Sequence, residues 1–304
     1  MSQQQSQPEG KIPGDSPAGA LVSRRVLIVG CGDVGQRAGH LLASQGCSVV
    51  GLRRSIEGLE APLTGVRGDI TDRASLAELA ALGRFDYVLI TVAAGRAGEA
   101  GYRAVYLDGL ANMLAVLAAE PPRRILLSSS TSVYHQRDGS VVDEQSPTEP
   151  TGYPGQVMLA AEAMLAESGI PASVIRFAGI YGPGRTRLLS RLQAGIMPAC
   201  GNQMSNRLHS DDCARVLVHL LAMDARAQPL APCYLAADSA PTPLREVCRW
   251  LAHRLGLDPN SLVEQGAPQR GGNKRCSNQL LLATGFQLRY PDYRAGFEAL
   301  LTQD

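Results

Sequence analysis

The chain holds 304 residues, 45 % apolar and 19 % charged, and its 29 basic and 28 acidic side chains leave a net charge of +1. That composition excludes a wholly disordered chain. The balanced charge gives no electrostatic basis for nucleic acid or an anionic membrane as partner. Seven scattered cysteines, odd in number and without a C-x-x-C pair, suit reduced thiols in a cytoplasmic setting better than disulfides, and the histidines show no metal-ligand spacing, so no metal is expected. No stretch is apolar for long enough to span a membrane.

Residues 1–22, rich in Gln, Ser, Pro and Gly, read as a flexible tail. They lack the basic start and apolar run of a secretory signal. Apolar strands and helical patterns then alternate. A strand over 25–29 leads to a helix over 34–45, a strand over 47–52, a weaker strand over 65–69 and a short helix over 74–82. A strand over 86–93 precedes a long helix over 102–119, stopped by Pro121 and Pro122. Next come a strand over 124–129, a helix over 156–168, a strand over 172–177, a helix over 211–223 and a strand over 233–236. Continuous apolar strands separated by helices predict an α/β fold, a doubly wound parallel sheet of the Rossmann type with both faces covered. From about 241 the pattern turns to helices and loops: 243–255, 278–283 and 293–301. The expected organisation is a dinucleotide-binding domain over 23–240, with 181–208 contributing to a cleft, and a small C-terminal substrate lobe over 241–304.

The first strand runs into Gly30-Cys31-Gly32-Asp33-Val34-Gly35, a G-x-G-x-x-G turn that opens a helix. In that context Gly30 permits the tight turn, Gly32 lets a pyrophosphate approach the backbone and Gly35 lets helix and strand pack closely. The free N–H groups of Asp33 and Val34 lie at the positive end of the helix dipole. Cys31 reads as a small filler. At the end of the second strand, where an acidic side chain would accept the ribose 2′-hydroxyl of NAD, stand Arg53 and Arg54. They favour the 2′-phosphate of NADP, with NAD as the other possibility. Asp69 and Ile70 after the third strand either hold the adenine or form a helix cap and a core contact.

Six stretches, GCGDVG (30–35), GDITD (68–72), SSSTSVY (128–134), LAAE (159–162), RFAGIYGPGR (176–185) and NRLHSDDCA (206–214), resemble the extended short-chain dehydrogenase/reductases. That group is the NAD-dependent epimerase/dehydratase superfamily, and the chain is similar to its atypical, sugar-nucleotide-epimerase-like branch. The resemblance implies catalysis by a Ser/Thr and a Tyr-x-x-x-Lys pair, in which the cation lets a tyrosine act as acid/base at neutral pH. It places the Ser/Thr at Ser130. Thr131 and Ser132 stand where related dehydratases carry Asp and Glu, which disfavours dehydration. Counting from Glu162 puts the Tyr at Pro154, one residue from Tyr153, which is the candidate acid/base. The Lys falls on Met158, or on Val157 in the Tyr153 register.

Lys11 and Lys274 are the chain's only lysines, and neither is expected at the site. Tyr134 and His135 are alternative acids. Arg185 and Arg207 are candidate ligands for a substrate carboxylate or phosphate, or else partners in structural salt bridges. Two readings remain open. One is an NAD(P)-dependent oxidoreductase or epimerase acting by hydride transfer on a small polar, sugar-nucleotide-like substrate. The other is a non-catalytic NADP-binding or redox-sensing protein. The resemblance further implies a homodimer through the helices at 102–119 and 156–168.

Overall fold

The computed structural model describes residues 19–95, 98–199, 201–266 and 272–302. Most of the expected tail lies outside them. Its last residues do not hang free: Leu21 is 1 % exposed in the core, and its carbonyl accepts from the Cys47 thiol at 3.2 Å.

Seven parallel strands form the central sheet: β1 (Arg25–Val29), β2 (Ser48–Arg53), β3 (Thr64–Arg67), β4 (Tyr87–Ile90), β5 (Arg124–Ser130), β6 (Ala172–Phe177) and β7 (Cys233–Ala236). Their spatial order is 3-2-1-4-5-6-7, with the reversal between β1 and β4 that opens a crevice at the carboxyl ends of the strands. Side chains alternate across the sheet. Val26 and Ile28 enter one core layer, and Leu27 and Val29 enter the other. Both layers are apolar, which explains the uninterrupted hydrophobic runs of β1 and β4.

The helices covering the sheet include α1 (Asp33–Ser44), α2 (Ala77–Ala81), α3 (Gly98–Arg103), α4 (Gly109–Leu117) and α5 (Tyr153–Glu167). The second half of the chain adds α6 (Arg187–Gln193), α7 (Ser210–Ala225), α8 (Leu244–Arg254), α9 (Gln279–Ala283) and α10 (Tyr293–Leu301). Helices α1 and α7 pack against each other on one face of the sheet.

Three expected boundaries move by three residues or more. The 102–119 helix begins at Gly98 and widens into a π-helical turn over Ala104–Asp108 before α4. The 156–168 helix starts at Tyr153, because Pro154 suits the first turn of a helix and cannot sit deeper in one. The 86–93 strand stops at Ile90, since the Thr91 hydroxyl turns to the Gly30 carbonyl at 3.0 Å.

The small lobe has its own core, in which Leu189, Leu192 and Met197 join Val247, Leu251 and Phe297. The chain crosses between lobe and sheet domain repeatedly. Arg275 and Cys276 pair with Val141 and Val142, and Leu281 and Phe286 pack into the core beneath α7. Among the described residues no helix is long and apolar enough to cross a membrane.

Candidate active site

The crevice begins at the glycine turn. Gly30 takes φ +78°, and a Cβ there would lie 2.7 Å from the Val92 backbone. A Cβ on Gly35 would press on Thr91 Oγ1 at 2.9 Å and on Ile28 at 3.0 Å. A Cβ on Gly32 would meet nothing nearer than the Gly30 carbonyl at 3.9 Å. Two glycines are therefore demanded by the protein itself, and the middle one leaves an open face. No side chain caps α1, so its first N–H groups point outward into that opening. This cradle fits the pyrophosphate of a dinucleotide. Cys31 lies under the turn against Gly51, and burial pushes its thiol up to about 11, as befits a filler.

Arg53 closes β2 half-exposed, and Arg54 follows it, exposed. Asp69 accepts from the N–H and the hydroxyl of Thr71, at 2.9 and 2.8 Å. The Thr71 N–H above all, with its hydroxyl and Arg54, holds the Asp69 pKa below the usual carboxylate value against the opposing effect of burial. Ile70 is a core residue against Gly109, and the helix cap expected near it is made instead by Asp72, which accepts from Ala74 N–H.

At the end of β5 the chain forms a single 3₁₀ turn, Thr131–Val133, capped by Ser130. Ser130 Oγ accepts from Ser132 N–H at 3.1 Å, and its own proton remains available to another acceptor. The start of α5 presses on this turn, since a Cβ on Gly155 would strike the Ser132 carbonyl. Tyr153, the first residue of α5, meets Tyr102 edge-on at 5.8 Å between ring centres, and Tyr102 lies 4.6 Å from Tyr106. Tyr106 donates to the Val92 carbonyl at 3.2 Å, tying the π-helical turn to the loop that touches Gly30. Val157 and Met158 are each 1 % exposed, so both registers for the missing lysine are filled by buried apolar side chains.

Three of the motifs meet in one network. Glu162 accepts from Arg176 Nη2 at 2.7 Å, from Arg176 Nε at 3.2 and 3.3 Å, and from Ser129 Oγ at 2.5 Å. Arg176 Nη1 donates to Tyr134 Oη at 3.0 Å, and Tyr134 donates to the Asp143 carbonyl at 2.7 Å. Tyr134 is thus corrected from candidate acid to structural link. It is 3 % exposed, and burial, only partly offset by Arg176, holds its phenol well above the ordinary value. Among the described residues His135 makes one charged contact, to Glu149 at 3.8 Å.

The two arginines proposed for substrate are not brought together. Arg185 extends to the glycine turn, where Nε meets Asp33 Oδ2 at 2.7 Å. Arg207 is 6 % exposed beneath Tyr293, 5.9 Å from the ring centre, and burial lowers its pKa. Arg207 is carried by the strand Arg207–His209, which pairs with Gly179–Tyr181, and its side chain is buried against Tyr293 of α10.

Lys274 folds back from the second lobe onto the sheet domain. It returns to the β5 segment, 2 % exposed, with Nζ 3.5 Å from the Tyr134 carbonyl. Burial lowers its pKa. Asn206 holds the strand that carries it, donating to the Lys274 carbonyl at 2.9 Å and accepting from Cys276 N–H at 2.7 Å. No local pattern announces this contact. Thr91 and Tyr106 also escape sequence reasoning, and only the abrupt end of the β4 apolar run hints at the first.

Comparison with known proteins agrees with this geometry. The model of the "NAD dependent epimerase/dehydratase family" matches residues 26–230. A structure from Methylobacillus flagellatus, provisionally described as an NAD-dependent epimerase/dehydratase, is 37 % identical with a TM-score of 0.79, over 92 % of this chain and 98 % of that one. Protein YeeZ of Escherichia coli K12 is 29 % identical over 281 residues, 88 % of this chain and 97 % of that protein. The UDP-glucose 4-epimerase of Thermus thermophilus, in complex with NAD, shares the fold at a TM-score of 0.77 and 20 % identity, over 91 % of this chain and 98 % of that one. With the glycine cradle, the strand order and a matching family model over most of its length, the chain belongs to the NAD-dependent epimerase/dehydratase family.

Proposed function

We propose that this protein is an NAD(P)-dependent oxidoreductase or epimerase that moves hydride to and from a carbonyl or carbinol of a small polar substrate of sugar-nucleotide type. The observation that carries the reading is the cradle at Gly30, Gly32 and Gly35, closed on two sides by Val92 and Thr91 and open on the third. The nicotinamide, when bound, supplies the hydride chemistry. Asp33, Val34 and the glycines hold the pyrophosphate, with Asp69 and Ile70 toward the adenine. Arg53 and Arg54 favour a 2′-phosphate, and one charge-assisted pair there is worth about 1.5–3 kcal/mol, roughly ten- to a hundredfold in affinity. Ser130 donates its free proton to the substrate oxygen. Tyr153 is the acid/base. Two copies pair through α4 and α5, whose shared face carries a groove lined by Leu114, Ala118 and Met164.

A second reading, a dinucleotide-binding protein without turnover, is favoured by one observation: buried Val157 and Met158 occupy the positions at which the family resemblance puts the lysine. Titration with NADPH and NADH, followed by nicotinamide fluorescence, and turnover with a panel of ketones and sugar nucleotides separate the two. The first reading expects NADPH to bind more tightly than NADH, with turnover lost in Ser130→Ala and Tyr153→Phe. Equal affinity for both cofactors refutes the NADP preference. Tight binding without turnover of any substrate in the panel supports the second reading.

A further inference from the structure

Asp33 is a strange residue for an anion site. It is the first residue of α1, inside the glycine turn, and it follows Gly32, whose face is open. A negative charge there opposes a negative ligand. The carboxylate does not cap its own helix. Both oxygens are given to arginines instead: Oδ1 accepts from Arg37 Nε and Oδ2 from Arg185 Nε, each at 2.7 Å. Burial works against the charged form of Asp33, but the bonds from Arg185 and Arg37 outweigh it and hold its pKa below the usual carboxylate value.

The two arginines differ in what remains free. Arg37 spends a second nitrogen on Asp211, at 2.6 Å. Arg185 is fixed by Nε alone, and its terminal nitrogens donate to nothing among the described residues. Its side chain is 41 % exposed. It arrives on a tight turn in which Gly182 and Gly184 take φ +144° and +75°, and Arg185 N–H donates to the Gly182 carbonyl at 2.9 Å. A guanidinium held at Nε keeps a rigid two-nitrogen edge, the edge that matches phosphate oxygens.

We propose that Arg185 is a cofactor-binding residue whose terminal nitrogens clamp the pyrophosphate, and that Asp33 is the positioning residue that aims it by holding Nε. The proposal rests on the dinucleotide-binding reading above and reassigns Arg185 from substrate to cofactor. Its consequence is an inversion of sign. Simple charge repulsion requires that removing the Asp33 carboxylate tighten a dianionic ligand, whereas positioning requires that it weaken the ligand.

The test is binding, measured by NADPH fluorescence titration and calorimetry on the whole chain, with circular dichroism and thermal midpoints verifying that each variant is folded. Arg185→Ala is expected to weaken NADPH about ten- to a hundredfold, the worth of a charge-assisted hydrogen bond. Arg185→Lys is expected to weaken it too, because an ammonium cannot bond Asp33 and phosphate through separate edges of one rigid plane. Asp33→Ala is expected to weaken NADPH several-fold. Asp33→Asn keeps an acceptor for Nε and is expected to stay close to the parent.

The double variant Asp33→Ala/Arg185→Ala should bind no worse than Arg185→Ala, since Asp33 acts through Arg185. Binding of 2′-AMP, which has no pyrophosphate, should be unchanged throughout. Asp33→Ala binding as tightly as the parent or more so, additive losses in the double variant, or an unchanged Arg185→Ala overturns the proposal while leaving the dinucleotide reading intact. A parent chain that binds neither NADPH nor NADH overturns both.

Discussion

Replacing Arg176 by methionine tests whether the Glu162 network fastens the segment carrying Ser130 to α5. The Arg176 and Glu162 side chains are 9 % and 10 % exposed, and the carboxylate takes three contacts from the guanidinium and one from Ser129. Arg176→Met removes the cation and leaves a carboxylate at a nearly dry position with Ser129 as its remaining partner. Breaking one side of such a pair costs about 3–5 kcal/mol. Loss of the Nη1 bond to Tyr134 adds about 1 kcal/mol, and no more, because Tyr134 keeps its bond to the Asp143 carbonyl. The expected cost is therefore about 4–6 kcal/mol, comparable with the total stability of many domains.

The double variant Arg176→Met/Glu162→Leu removes both charges and is expected to recover to within about 2 kcal/mol of the parent, since a buried pair contributes little net of desolvation. Urea denaturation followed by far-ultraviolet circular dichroism reads both quantities as midpoint shifts at constant slope. A single Arg176→Met cost under about 1 kcal/mol, or a double variant as unstable as the single one, refutes the reasoning. The second outcome stays readable even if the single variant fails to accumulate folded.

Two further predictions bear on other parts of the molecule. Gly35→Ala places a methyl 2.9 Å from Thr91 Oγ1 and 3.0 Å from Ile28. Overpacking there should lower stability by about 1–3 kcal/mol in thermal melts and weaken NADPH, and a fully stable variant would show that α1 has room to shift. Asp238 is 1 % exposed, and burial raises its pKa from 3.8 to about 7 despite the Ala240 N–H and Arg207 on one side, with Asp292 and Asp212 adding to the rise. Between those values the folded chain keeps a proton that the unfolded chain has released, so stability should fall as pH rises toward 7 and level off above it. Asp238→Asn should flatten that part of the stability–pH curve, and an unchanged curve refutes the assignment.

Much of the sheet is legible because the physics that makes it is local. Strands β1 and β4 are buried on both faces, so their apolar runs admit no polar alternation and announce a parallel sheet. The glycine turn is legible for the same reason: Gly30 and Gly35 answer to contacts within the β1–α1 unit or with the adjoining β4 loop, and Gly32 lies between them. The site's remaining features depend on residues far apart in sequence. Asp33 and Arg185 look like two independent candidates, one for cofactor and one for substrate, until the fold places them 2.7 Å apart. Arg207 sits in one of the motifs, yet it is buried against Tyr293, far along the chain. Lys274 follows a glycine pair in a loop-rich stretch, and only the pairing of Arg275–Cys276 with Val141–Val142 carries it to Tyr134. Leu21 shows the opposite error, since a polar composition around it hid a single well-anchored apolar side chain.

The strand that brings Lys274 home has a consequence for synthesis. A chain emerging from the ribosome folds from its N-terminal side, and it has every strand of the central sheet once Ala236 is out. The edge at Val141–Val142 and the side chain of Asn206 still await Arg275 and Cys276. A chain interrupted between these points would lack the Arg275–Cys276 pairing and also Leu281 and Phe286, which share a core with β1 and α1. The last segment made therefore closes two places together, the strand edge at Val141–Val142 and the core beneath α7.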